Sequence, residues 1–145
     1  MRQKLRQKYK FLAVLCCLCL VLLAGTQLTG CGEDNAGEYN YYMYYLNQDR
    51  TAIEPMGYEP VSDPEDTDSM IEEFIGQIES GTDRVEYQKV YPDSVRLEKY
   101  EHTGNLLYIY FNAAYSSMPV EEEILCRGAI VCTMMQISGV DGVLF

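Results

Sequence analysis

Apolar positions follow two different periods along this chain, and the changes of period mark its elements. Glu38–Leu46 is rich in tyrosine and reads as a strand. Alternation puts Tyr39, Tyr41, Met43 and Tyr45 on one face and Tyr42, Tyr44 and Leu46 on the other. After the turn-like Asn47-Gln48-Asp49-Arg50, Thr51–Glu59 contains a second strand, placed at a sheet edge by Pro55 and Gly57. The period then becomes helical. Ser62-Asp63-Pro64-Glu65-Asp66 supplies a cap, a proline for the first turn and acids for the positive end of the dipole. Met70, Ile71, Phe74, Ile75 and Ile78 follow at helical spacing, and Ser80-Gly81 ends the helix.

Strand patterning returns in the second half. Val85–Val90 is a weak strand and Val95–Tyr100 an alternating one. His102-Thr103-Gly104-Asn105 is a hairpin turn, and Leu106–Phe111 (LLYIYF) is a near-continuous apolar strand expected at a central position. Ser116–Pro119 leads into a second helix with acids Glu121, Glu122 and Glu123 at its start. Its apolar positions run from Ile124 to Met135, and Gly128 and Ala129 allow close approach to the sheet. Ser138-Gly139 ends it, and Val140–Phe145 opens a last strand. The order ββαβββαβ predicts an α+β fold: a single mixed or antiparallel sheet with two helices packed on one face.

The first thirty residues have a different character. MRQKLRQKYK carries five positive charges and no acid, and residues 11–25 (FLAVLCCLCLVLLAG) are fifteen residues without a charge. A basic segment, a short apolar run and small residues are the parts of an export signal. The apolar run falls short of the roughly 20 residues that span a bilayer, so a cleaved signal (residues 1–30) is favoured over a signal anchor. Leu28-Thr29-Gly30-Cys31 resembles the bacterial lipobox. That resemblance implies a diacylglycerol on the Cys31 thiol and cleavage before it, with two acyl chains giving stable anchoring. Gly32–Glu38 is a short acidic linker of at most roughly 25 Å, so the domain at 39–145 sits close to the membrane.

Charge narrows the partners. All 22 acids but only 6 of the 11 Lys and Arg follow residue 30, so the mature chain carries 6 − 22 = −16. Such a chain repels nucleic acid and anionic headgroups, so the lipid must hold it to the bilayer. Cations or basic protein surfaces are its electrostatic partners.

No catalytic constellation emerges. The single histidine, His102, falls in the hairpin turn, and HExxH, GxSxG and phosphate-cradling glycine loops are absent. Asp63, Glu65, Asp66 and Asp68 lack the glycine and glutamate of an EF-hand loop and read as a solvated helix start, as do Glu121–Glu123. Cys126 and Cys132 are six apart on one helix, too far for a bridge, with no histidine or third cysteine to complete a metal site. Both are expected as core thiols. No cofactor and no metal are expected. Thirteen tyrosines and no tryptophan leave the tyrosines as the candidate contact residues. Of Tyr41, Tyr42, Tyr44 and Tyr45, one row is expected under the helices and the other, alongside Tyr108 and Tyr110, at a protein interface or against a sugar. The bland reading is a sheet covered on both sides.

The blocks YYMYYLNQDRTAIEPM, YPDSVRLEKYEHTGNLLYIYF and EEEILCRGAIVCTMMQISGVDGVLF, spanning residues 39–145, resemble the GerMN domain of sporulation and spore-germination lipoproteins. Glu123, Ala129, Ile130, Val131, Thr133 and Gly139-Val140 stand at the matching places of its closing helix. The resemblance implies a fold similar to ring-building domains and a non-catalytic role outside the cytoplasmic membrane. It further implies an envelope protein partner, with self-association open; the founding member takes part in assembling an envelope complex between mother cell and forespore. Two departures stand out: the founding member carries two tandem copies where this chain has one, and the family's last strand usually continues past the position of Phe145.

Overall fold

The computed structural model describes residues 39–145; Cys31, the export signal and the acidic linker lie outside the described residues. The element order is the expected one. It runs β1 (Tyr41–Asn47), β2 (Ile53–Tyr58), α1 (Thr67–Ser80), β3 (Tyr87–Gln88), β4 (Leu97–Thr103), β5 (Leu106–Phe111), α2 (Val120–Met134) and β6 (Gly142–Leu144). A 3-10 turn at Ala113–Ser117 joins β5 to α2. Among the described residues no helix is long and apolar enough to cross a membrane.

The fold is α+β, but the strands form two three-stranded sheets, β2-β1-β3 and β4-β5-β6, rather than one. The reason lies on one side of β1. There β3 pairs only with Leu46 and Asn47. Further back along the strand, α2 and the turn after it occupy the edge. The Gln136 side-chain amide accepts from Tyr42 N–H at 2.9 Å and donates to Tyr42 C=O at 2.7 Å. The Thr133 hydroxyl accepts from Tyr44 N–H at 3.1 Å. Side chains thus satisfy the groups a neighbouring strand would have used, and no strand can enter. On the other side β2 pairs antiparallel, with Pro55 opposite Tyr44. Because Tyr44 turns its N–H away to Thr133, that pair exchanges no ladder bond, and the missing proline donor weakens nothing.

One core joins both sheets to both helices. Met43 and Tyr45 meet Met70, Ile71, Phe74, Ile75 and Ile78 of α1, Leu107 and Ile109 of β5, and Cys126, Ala129, Ile130 and Met134 of α2. All five apolar positions expected inside α1 are buried. Asp66 caps that helix, accepting from Ser69 N–H at 3.2 Å, and Gly81 closes it at φ 71°. On α2, a Cβ at Gly128 would stand 2.7 Å from Ile53 Cδ1, so this helix passes close to β2 and any larger residue would require the Ile53 side chain to move. Cys126 is a buried core thiol as expected, but Cys132 is exposed. Six residues along a helix turn it away from Cys126, toward the side without a layer above it. The β4–β5 hairpin closes through Gly104-Asn105, with glycine taking φ 63°.

Replacing Gln136 with methionine, similar in length but without the amide, leaves the part-buried N–H and C=O of Tyr42 unpaired. A loss of roughly 2 kcal/mol is expected in denaturant unfolding, with Gln136→Asn too short to restore it.

Candidate interaction surface

Both rows of β1 tyrosines are largely consumed by the fold. Tyr45 is completely buried and its hydroxyl donates to Gln77 C=O at 3.4 Å, so it cannot serve as a contact residue. Tyr41 stands edge-on to Phe74, with ring centres 5.8 Å apart, and Tyr44 is half-buried against the core. Tyr42 is half-buried, with the exposed Tyr39 edge-on at 6.4 Å. The bland expectation, a strand covered on both sides, describes most of β1.

The exposed apolar face belongs to the second sheet. β5 is central there, as LLYIYF suggests, but only Leu107 and Ile109 point inward. Leu106 and Tyr110 are each 39% exposed, and Leu144, paired with half-buried Tyr108, is 41% exposed. Lys99 of β4 lies over the Tyr110 ring at 4.3 Å and pairs with Glu101 at 2.9 Å, placing charge beside the apolar strip. The signal for this face was present in the sequence. Leu107 and Ile109 alternate with Leu106, Tyr108 and Tyr110, but an apolar outer row disguises the alternation.

At the end of that face lies an aromatic stack. Phe111 and Tyr115 are parallel at 4.7 Å, and Phe145 lies parallel to Phe111 at 6.4 Å. The Arg127 guanidinium sits 5.1 Å from the Phe145 ring centre and donates to Tyr115 Oη at 2.8 Å and to Glu123 at 2.6 Å. Tyr110, Phe111, Tyr115 and Phe145 border a mostly apolar groove of about 330 Å³, with Asn112 and Ser116 among its lining residues.

The titratable groups are tied into the scaffold. His102, the penultimate residue of β4 rather than part of the turn, has Nδ1 2.9 Å from Asp68 and Nε2 3.3 Å from Gly139 C=O. Both ring nitrogens are engaged by acceptors, so neither is placed to activate a nucleophile. Glu73 accepts from Tyr58 Oη at 2.5 Å, Val61 N–H at 2.8 Å and Ser62 N–H at 2.7 Å, pinning the loop after β2 to α1. Burial works to raise the Glu73 pKa, but together these donors outweigh it and hold the carboxylate at about 2. Burial pushes the Cys126 thiol up to about 12. The Tyr91 hydroxyl is buried without a partner among the described residues, and burial raises its pKa well above the ordinary phenol value.

Two outcomes follow for these groups. Because the folded-state pKa of Glu73 is depressed, its stabilisation is complete above the unfolded value near 4.5 and fades as pH falls toward 2. Glu73→Gln is expected to lower stability by roughly 2 kcal/mol at pH 7, with the gap to the parent protein closing between pH 4.5 and 2 in denaturant titrations. Iodoacetamide at pH 8 is expected to alkylate Cys132 in the native protein, and Cys126 only after unfolding, as read by peptide mass spectrometry.

No curated protein and no solved structure matches this chain. Residues 42–145 match the Germane family, described as sporulation and spore germination. With 104 of 145 residues inside that match (145 − 42 + 1 = 104), the chain belongs to the Germane family of sporulation and spore germination domains.

Proposed function

We propose that this protein is a membrane-anchored, extracytoplasmic lipoprotein whose Germane domain is a non-catalytic binding and assembly module in sporulation or cell-envelope assembly. The observation that carries the binding part is the contiguous apolar strip on the second sheet, Leu106, Tyr110 and Leu144, which ends at Phe145. Large exposed aromatic and aliphatic residues, grouped on one rigid face, are the composition of a protein contact. The engagement of His102, Glu73 and Cys126 in the scaffold fits the same reading. The anchoring part rests on Leu28-Thr29-Gly30-Cys31 behind a basic and apolar leader. Diacylglycerol on Cys31 would hold the domain at the outer face of the cell membrane, where its negative charge keeps it off anionic headgroups. A second reading, binding of wall glycan or another small ligand, draws on the aromatic rings around the groove.

Photo-crosslinkers at Tyr110 and Leu144, in the protein's own cells during growth and during any sporulation stage, are expected to join a defined envelope protein. Tyr110→Ser with Leu144→Ser should abolish the product while shifting stability by less than roughly 1 kcal/mol. No crosslink at either stage, together with saturable retention on purified peptidoglycan, would replace assembly with the glycan reading. Mass spectrometry of the N-terminal peptide should find a diacylglyceryl thioether at Cys31, and Cys31→Ala should release the protein from the membrane fraction. An unmodified Cys31 would remove the anchor.

A further inference from the structure

Three elements meet at the single histidine of the chain. His102 stands near the end of β4, its side chain 17% exposed. Nδ1 lies 2.9 Å from Asp68 Oδ1, in the first turn of α1, and Nε2 lies 3.3 Å from Gly139 C=O, in the turn between α2 and β6. The same three elements are joined around the ring. The Thr67 hydroxyl donates to Ser138 C=O at 2.8 Å. Asn105, in the hairpin after β4, donates to the Asp141 carboxylate at 2.6 Å and accepts the Asp141 N–H at 2.8 Å. Gly139 takes φ 88°, and a Cβ there would stand 3.1 Å from Thr67 Oγ1, so the turn lies close against the start of α1.

The two ring contacts make a demand on protons. An ionised carboxylate and a backbone carbonyl accept and do not donate. Each ring nitrogen must therefore carry a hydrogen for both bonds to form, and only the imidazolium carries two. The neutral ring has one N–H. It keeps one bond and turns a lone pair toward the other oxygen.

The charges around this junction are of one sign. From α1 come Asp68 and Glu72. Burial first, then the charges of Glu72 and Asp68, raise the phenol of Tyr100, two residues before His102 on the same face of β4, so both carboxylates act on that face. The turn before β6 brings Asp141, and β5 brings the uncharged Leu107 opposite His102. On β4 itself the Lys99–Glu101 pair takes the alternate positions, on the other face. The positive end of the α1 dipole opposes a cation here, and Asp66 and Asp68 at that end offset it.

We propose that His102 is a proton-operated latch. As the imidazolium it ties the start of α1 to the turn that leads into β6, and loss of a proton releases one of the two ties. The sign follows from the bonds: the latch is closed at low pH and opens as pH rises through the range in which histidine ionises, about pH 5 to 8. Leu144 of the exposed strip lies on β6, so the latch sets how firmly the strand carrying it is seated. The latch is a property of the fold and stands whether or not that strip binds a partner.

The test uses the full chain in detergent micelles, with nitrogen labelling. At about pH 5.5 both ring nitrogen shifts are expected in the N–H range, and at about pH 8 one of them is expected to move to the range of a bare nitrogen. Exchange of the Asp141 amide, bonded to Asn105 C=O, reads the opening. Corrected for the intrinsic effect of pH, its protection should fall about fivefold from the lower pH to the higher, the weight of one hydrogen bond. Asp68→Ala, at a side chain 84% exposed, removes one acceptor and leaves the core untouched, and the fall should shrink to less than about twofold. His102→Gln, uncharged at every pH, should have the same effect. Three results would overturn the proposal. They are a single ring N–H at the lower pH, equal protection of Asp141 at both, and a fall that survives in Asp68→Ala and His102→Gln alike. The last would assign the pH response to another group.

Discussion

The fold turns on a side-chain amide doing the work of a strand. Gln136 offers Tyr42 an acceptor and a donor, both within 3 Å, and Thr133 accepts from Tyr44. A backbone N–H or C=O left bare in this part-buried place would cost as much as a lost hydrogen bond. Strand pairing would have been the ordinary remedy, and it would have drawn β1 into one continuous sheet with the rest. Helix α2 intervenes, with Gly128 close beside the Ile53 side chain, and brings Thr133 and Gln136 to the edge of β1. The division into two sheets, the depth at which Met43 and Tyr45 sit, and the single shared core all depend on that approach.

The same economy governs the charges. Most of the acids are solvated, but those that reach the fold satisfy backbone or hydroxyl donors rather than form a reactive cluster. Asp66 holds the start of α1 and Glu73 holds the segment leading into it, so both sides of that helix start are fastened by carboxylates. Glu123 fixes Arg127, which in turn braces Tyr115 and Phe145. The aromatic stack at the end of the second sheet is therefore braced by an ion pair through Arg127, which limits the freedom of its rings.

Much of this was legible in the residues. The buried positions of α1 follow from helical spacing alone, Pro55 marks a strand edge, and the order of elements follows from the changes of period. Sheet partition was not legible, because it depends on a glutamine whose polar side chain reads as surface in any pattern. The exposed side of β5 was legible in part: Tyr108 and Tyr110 stood out as contact candidates, but leucine and tyrosine on an outer row have the same hydropathy as core, and only the lack of a covering layer distinguishes them. The tyrosines of β1 were ambiguous for a related reason. Their amphipathic rings suit an interface as well as an interior, and packing against Phe74 and the helices buries Tyr45 and leaves Tyr41 half-buried. Cys132 went the same way: helical geometry separates it from Cys126, but not which of the two faces is covered.

The family match and the surface describe different things. A Germane domain's association with sporulation and germination names a process and leaves its chemistry unspecified; the exposed strip and the groove are surface features with no process attached. The strand edges of the first sheet add a constraint of their own. The edge of β1 is blocked by Gln136 and Thr133, and the outer edge of β2 carries Pro55 and Glu54, residues that discourage strand addition. These two edges are thus closed to strand addition by their own residues, and the exposed apolar side chains stand instead on the outer face of the second sheet, at Leu106, Tyr110 and Leu144.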